Sequence, residues 1–356
     1  MTVAVDAHGA DLGPGEVAAG ALLAAQRTGV RVLLFGPAGA LTGSLVGAGG
    51  ASGLVEIRDA PVSVAKEADP ARAVRNARDA SIVQAAQAVA AGEADALVCG
   101  GSTGAALAAG LFHIKRARGI VRPALALPIP VPGSPVLLLD VGANAEVRAE
   151  HLVQFAHMGA AFAASVLRIA DPRVALLSNG EEATRGTTAV IEAHERLSGA
   201  LAPRGLNFVG NVEGTGLVEG AADVVVCDGF TGNVALKLME GVSGTLMRAI
   251  RERARSSRRA TVGGALLRPA LRQLRDELDP EGHGGAYLLG LRRLGIVCHG
   301  RFTRLGYASA IEVARQGVRE QAVDRTLQAL AAAGALRRPP AGVAASEPAA
   351  SVPVQG

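Results

Sequence analysis

Short apolar runs alternate with longer stretches of helical period along most of the chain. The runs are Thr2–Asp6, Arg31–Phe35, Leu54–Ile57, Ala96–Cys99, Val136–Val141, Arg173–Leu177, Asn207–Val209 and Val224–Cys227. Several are continuous rather than alternating, as expected for strands covered on both faces. Helical period follows from Pro14 to about Thr28, Asp69 to about Ala91, Gly104 to about Arg118, Glu150 to Leu167, Thr188 to Leu197 and Tyr307 to about Ala333. Another helix carries Leu238, Val242, Leu246 and Ile250 behind Thr231, which is placed to cap it. Asp69-Pro70 reads as an N-cap with proline at the first helical position. This alternation predicts an α/β fold: a three-layer, Rossmann-like architecture around a mostly parallel sheet. Pro123 to Pro135 contains five prolines and reads as an extended connector. Gly285–Val297 reads as a strand pair or hairpin. Residues 1–336 form one predicted α/β domain, and 337–356, lacking periodicity, a disordered tail.

The apolar runs end in similar ways. Small polar clusters with glycine stand at Asp6–Asp11, Gly100–Gly104, Asp140–Asn144, Gly180–Gly186, Asp228–Asn233 and His299-Gly300. In a parallel sheet such ends share one edge, so the expectation is a single polar cleft. At Asp228-Gly229 the strand turns into a helix whose first N–H groups favour an anion. An ordinary, well-capped connection explains that turn equally. There is no Gly-x-Ser-x-Gly elbow, no P-loop lysine motif and no Gly-x-Gly-x-x-Gly after the first strand. Acids, amides, hydroxyls, arginines and backbone N–H groups remain. That set suits orienting an anion and stabilising an oxyanion, not a covalent intermediate.

Composition narrows the reading. The 356 residues are 49% hydrophobic but only 3% aromatic, so a large core must be built from Ala, Val and Leu. A net charge of +4 with so few aromatics argues against stacked single-stranded nucleic acid. Lys66, Lys115 and Lys237 are the only lysines and so the only candidates for lysine chemistry. Cys99, Cys227 and Cys298 show neither zinc spacing nor a disulfide framework; they read as small buried hydrophobes, and no metal is expected. His299 reads either as a partly buried structural histidine or as a functional one. Met1 leads straight into a strand, and no apolar run approaches the roughly 20 residues of a membrane span. The expectation is a soluble, cytoplasmic protein.

Ser243–Asp279 stands apart. Leu267, Leu271, Leu274 and Leu278 make an apolar stripe, with Arg268, Arg272 and Arg275 beside it and six further arginines before it, from Arg248 to Arg259. The pattern suits an anionic membrane surface or an acidic protein partner. It equally suits a helix pair at the core or a dimer interface with a solvated basic face.

Three stretches carry a resemblance: Val136-Leu137-Leu138-Leu139-Asp140-Val141-Gly142-Ala143-Asn144-Ala145, Asn207-Phe208-Val209-Gly210-Asn211-Val212-Glu213-Gly214, and Asp223 through Lys237. From about Thr2 to Gln316 the chain resembles the bacterial phosphate acyltransferases, the PlsX family, which make acyl phosphate from acyl-acyl carrier protein and inorganic phosphate. The resemblance implies a fold related to phosphotransacetylases and isocitrate dehydrogenases, a homodimer, and no metal or organic cofactor. It also implies peripheral membrane contact through the basic helical segment 243–279, with Leu267, Leu271, Leu274, Arg268 and Arg272 at the surface, and a membrane glycerol-3-phosphate acyltransferase as the next user of the product.

Several positions depart from the family pattern. The family's Asp-Ala-Met-Gly-Gly-Asp is Asp6-Ala7-His8-Gly9-Ala10-Asp11; Ser102 replaces an amide; Ala77 replaces a lysine; Arg185 stands for a lysine; Phe302 stands where the family has serine. Arginine keeps the charge of lysine but changes its donor geometry. On this reading the catalytic candidates are Asn144, Glu182, Arg185, Asp228 and Asn233. Asn144, Asn233 and Arg185 would stabilise the oxyanion; Asp228 and Glu182 would orient these donors or take a proton. Gly9, Asp11, Ser102, Thr103, Gly104, Gly229, Thr231 and His299 are the phosphate- and substrate-binding candidates.

Overall fold

The computed structural model describes residues 1–47, 53–131, 135–199, 205–277 and 279–337. Its strands are β1 (Thr2–Asp6), β2 (Arg31–Gly36), β3 (Val55–Asp59), β4 (Ala96–Gly100), β5 (Ala124–Ile129), β6 (Val136–Leu139), β7 (Arg173–Leu177), β8 (Asn207–Val212), β9 (Val224–Val226), β10 (Ala286–Leu289) and β11 (Leu294–Cys298). They join one sheet in the order β3-β2-β1-β4-β11-β10-β5-β6-β9-β7-β8. Pairing is parallel from β3 through β11 and again from β6 through β8. Between these blocks β11–β10, β10–β5 and β5–β6 are antiparallel.

Those three reversals overturn the single-edge expectation. An odd number of antiparallel steps makes β6, β9, β7 and β8 run opposite to β1, β4 and β11. The polar clusters at the strand ends therefore divide between two opposite edges. With strands of three to six residues, the edges lie roughly 10 to 20 Å apart.

Helices cover both faces, giving three layers. On one face lie α1 (Pro14–Thr28), α2 (Ala38–Gly47), α6 (Ala149–Ser165), α7 (Thr188–Ser198), α11 (Arg304–Arg319) and α12 (Ala322–Ala332). On the other lie α3 (Pro70–Asn76), α4 (Ser81–Ala91), α5 (Thr103–Ala109), α8 (Gly214–Glu219) and the first part of α9 (Gly229–Ala254). The continuous apolar runs are what such double coverage needs: Leu137, Leu138, Leu139, Val224, Val225 and Val226 are all fully buried. Each such side chain contributes about 2 kcal/mol through burial. α10 (Arg258–Glu277) folds back on α9 and buries none of its residues.

Local departures have local causes. Asp69 does cap α3, accepting from Arg72 N at 3.0 Å. The single predicted helix breaks after Asn76, however, because Ala80 bridges Val62 and Ser81 N donates to Val62 O at 3.0 Å before α4 starts. The last helix divides at Gln321, whose φ of 54° interrupts it. The proline-rich connector contains strand β5, which pairs with β10 only through Ala124–Ala126; Pro128 lies beyond that ladder, where its missing N–H is tolerated. Residues 132–134, Leu278 and the proposed tail from 338 lie outside the described residues.

Candidate functional site

Three loops are laced together where β1, β4 and β11 end. Asp11 N donates to Gly300 O at 2.7 Å, and Gly101 N to Cys298 O at 3.2 Å. Gly9 and Gly101 have φ of +90° and +80° and pack backbone against backbone, so a Cβ on either would strike a carbonyl oxygen of the other loop. Ser102 caps α5 by accepting from Ala105 N at 3.2 Å, leaving Thr103 as the first helical residue. Gly104 lets α5 press against Pro70.

Helix α9 reaches this same edge from the other block. It begins at the end of β9 and runs back along the sheet, bringing Lys237 Nζ to 2.8 Å from His299 Nε2. Glu240 Oε2 is 2.8 Å from the same Nζ and 3.9 Å from His299 Nε2. The ammonium has no lone pair and can only donate across the 2.8 Å, so Nε2 accepts and the neutral ring carries its proton on Nδ1, 3.2 Å from Arg301 N. Burial, then the nearby Lys237 charge, pushes the imidazole below its ordinary pKa, favouring that neutral form. His299 and Glu240 thus hold the ammonium, whose remaining hydrogen would be donated to an anion's oxygen.

Where β1 and β4 end is a narrow crevice lined by Asp6, His8, Ser63, Ser81, Gly100 and Ser102. Asp6 is buried and its Oδ1 accepts from Ser81 Oγ at 2.6 Å and His8 N at 3.1 Å. Burial pushes its carboxyl up to about 7, against the pull of those two donors. His8 Nε2 is buried without a partner.

The opposite edge is built differently. Asp140 accepts five N–H bonds, from Leu125, Gly142, Ala143, Asn144 and the Asn144 amide, at 2.8 to 3.1 Å. Asn144 Nδ2 also reaches Pro123 O at 2.8 Å. Asp228, not Thr231, caps α9: its two oxygens take Thr231 N at 2.8 Å and Thr231 Oγ1 at 2.7 Å. Gly229 N donates to Asn144 O, and Asn233 Nδ2 to Val141 O at 3.2 Å. Gly232 abuts the Asp140 carbonyl so closely that no Cβ fits. Glu182 and Arg185 sit on the β7 loop of this edge, 3.7 Å apart and both exposed. The donors of both amides are thus already engaged, those of Asn144 within the β6 loop and to Pro123 O, that of Asn233 in fastening α9 to the β6 loop.

The family model described as Fatty acid synthesis protein matches residues 1–325. The phosphate acyltransferase of Pelotomaculum thermopropionicum is 44% identical over 324 residues, 91% of this chain and 93% of that protein. That of Heliobacterium modesticaldum is 45% identical over 321 residues, 90% and 95% of the two chains. The chain belongs to the phosphate acyltransferase family. Among solved structures, a phosphotransacetylase from Streptococcus pyogenes superposes with a TM-score of 0.59 at 17% identity, covering 91% of this chain and 94% of that one. EutD phosphotransacetylase from Staphylococcus aureus gives 0.57 at 17%, covering 89% and 94%. These two likenesses establish the shared α/β fold.

Within this member of the family, then, Gly9, Asp11, Ser102, Thr103, Gly104 and His299 come together at one edge. Asn144, Glu182, Arg185, Asp228, Gly229, Thr231 and Asn233 lie at the other. Lys237, Glu240, Asp6, His8 and Ser81 were not among the sequence candidates. Lys237 carried a signal, as one of three lysines; its pairing with His299 depends on the course of α9. Phe302, which departs from the family serine, is buried and stacks on His299 with ring centres 6.3 Å apart. The three cysteines are buried, and burial pushes their thiols up, so none is an available nucleophile. On α10, Leu267 is exposed, Leu271 and Leu274 are half-buried, and Arg268 and Arg272 are exposed.

Proposed function

We propose that the protein transfers a fatty acyl group from the thioester of acyl carrier protein to inorganic phosphate, releasing acyl phosphate for phospholipid synthesis. The Lys237 ammonium, held at the β1–β4–β11 edge by His299 and Glu240, carries this reading, because a fixed cationic donor suits an anionic acceptor. Phosphate is largely dianionic near neutral pH and attacks a thioester without a protein nucleophile. The protein has to hold it, orient the thioester and stabilise the oxyanion.

Two further parts of the reading concern partners. Phe230, Val234, Leu238, Val242 and Leu246 recur every four residues along α9, each more than half exposed. Such a stripe suits a second copy of the chain, in line with a homodimer. The exposed arginines of α9 and α10 suit an anionic membrane surface, as peripheral association requires. No helix among the described residues is long and apolar enough to cross a membrane.

The deciding experiment measures thiol release from acyl-acyl carrier protein, with and without phosphate, together with acyl phosphate formed. Phosphate-dependent release with equal acyl phosphate is expected. Thiol release that ignores phosphate, release from acyl-coenzyme A alone, or tight carrier-protein binding without release would overturn the reading.

A further inference from the structure

We propose that the loop 115–122 and the turn 290–293 form a docking platform for an acidic protein surface, that of the carrier protein which delivers the acyl group. The inference rests on the acyl-transfer reading above and adds to it the surface on which that partner sits.

The platform begins as a bias of charge in the sequence. Lys115, Arg116, Arg118, Arg122, Arg292 and Arg293 are all exposed. No Asp or Glu occurs between Asp95 and Asp140 or between Glu281 and Glu312, so neither segment brings a carboxylate of its own. The fold brings none to them: among the described residues, none of the six forms an ion pair. Clustered cations without counter-charge repel one another, and an acidic partner surface relieves that repulsion and is drawn to it from a distance.

Backbone bonds fix the two segments side by side. Arg116 bridges Leu291, while Ala117 N donates to Gly290 O and Arg292 N to Lys115 O, both at 3.0 Å. The buried Gln154 amide of α6 clamps the loop, accepting from Val121 N at 2.7 Å and donating to Gly119 O at 3.0 Å. A surface set in advance loses little freedom when a partner arrives. Lys115 adds an independent sign. Its φ of 70° and ψ of 156° are a conformation taken almost only by glycine, so the fold by itself favours glycine there. The lysine side chain therefore points to a use outside the fold. The arginines present forks that pair two-fold with carboxylates. None of the large exposed apolar side chains falls in either segment, so the platform lacks the inserting residues that a bilayer surface takes up. A protein rich in carboxylates fits it better than lipid does.

The test uses the full chain with acyl-acyl carrier protein, in the thiol-release assay and in direct binding read by fluorescence anisotropy. Arg292→Glu with Arg293→Glu should raise the carrier-protein KM and Kd about ten-fold or more at low salt, since like charges then face each other. Turnover at saturating carrier and the phosphate KM should stay as in wild type. Added salt should weaken carrier binding by wild type and do so far less in the double variant, because exposed charges are screened. Lys115→Gly should raise the urea midpoint and yet weaken carrier binding about three-fold, a split that a merely structural lysine would not give. Carrier KM and Kd within two-fold of wild type in both variants would overturn the platform and leave the acyl-transfer reading intact. The same result with sedimentation on anionic vesicles lost would overturn it in favour of a membrane contact. Wild type without phosphate-dependent thiol release would overturn the acyl-transfer reading, and the anisotropy measurement would still decide the platform.

Discussion

Lys237 Nζ lies 2.8 Å from His299 Nε2, although 62 positions separate the two residues along the chain. The contact exists because α9 starts at the end of β9 and runs antiparallel to it, towards the edge where β11 finishes. One helix thereby ties the two halves of a sheet whose strands run in opposite directions.

If Lys237 receives phosphate, removing it, or the His299 that holds it, should weaken binding more than it slows the bound reaction. A charge-assisted hydrogen bond is worth about 1.5 to 3 kcal/mol, or roughly 10- to 100-fold in affinity. Lys237→Met and His299→Gln should each raise the phosphate KM by that factor in the thiol-release assay, with the KM for acyl donor little changed. Unchanged phosphate KM in both variants would remove the pair from the site.

Much of the fold was legible in the sequence because its strands are short, apolar and bounded by polar glycine turns. Helices appeared where small and apolar residues recur at helical spacing. What was not legible was direction. Three antiparallel pairings around β10 and β5 reverse half the sheet, and a run of apolar residues carries no mark of the way it points. The site suffered from the same ambiguity: clusters that looked alike as strand ends belong to two edges. Asp228 and Asn144 drew attention as catalytic candidates, whereas the Asp228 oxygens cap α9 and the Asn144 N–H groups bind Asp140 and Pro123, its carbonyl taking Gly229 N from α9. Asp6 stood in the Asp6–Asp11 cluster without being singled out, because what distinguishes it, the bond from Ser81, joins positions 75 apart.

That fastening makes the β6 loop a point of high structural sensitivity. Asp140→Ala would leave five N–H groups without their acceptor. Unsatisfied buried donors cost about 1 to 3 kcal/mol each before relaxation, so a loss of roughly 3 kcal/mol or more is expected. Gly232→Ala should cost about 3 kcal/mol, since the new methyl meets the backbone carbonyl of Asp140, which cannot turn aside. Urea unfolding of the two variants measures both. Stability within 1 kcal/mol of wild type would contradict the packing described.

Asp6 should also leave a signature on stability against pH. Burial raises its carboxyl from 3.8 in the unfolded chain to about 7 in the fold. A raised folded pKa means that the neutral form is favoured. The contribution is complete below about pH 4 and is lost as pH rises through about 7. The shift corresponds to about 4 kcal/mol at most. Asp6→Asn removes this dependence, so the stability of the variant relative to wild type should increase between pH 4 and pH 8. Urea midpoints at both pH values test the sign; a difference independent of pH would show that Asp6 keeps an ordinary pKa in the fold.

The last prediction concerns the α9–α10 hairpin. α10 has no buried residue among those described, and the exposed Leu266 and Leu267 stand beside the exposed Arg268 and Arg272. Exposed basic residues gain about 1 kcal/mol each near an anionic bilayer, so several together suffice for reversible docking without an anchor. The leucine to test is set by exposure. Leu271 is half-buried against the hairpin, so a charge there disturbs folding as well as docking. Leu266 and Leu267 are 79% and 59% exposed, so charges there leave the fold alone. The protein should co-sediment with vesicles containing anionic lipid and not with purely zwitterionic ones, and salt should weaken the association because exposed charges are screened. Leu266→Glu with Leu267→Glu should abolish sedimentation while soluble thiol release continues. A folded double variant that still sediments like wild type would exclude this surface as the membrane contact. A dimeric mass for wild type that becomes monomeric in that variant, read by light scattering, would assign the hairpin to an interface between copies instead.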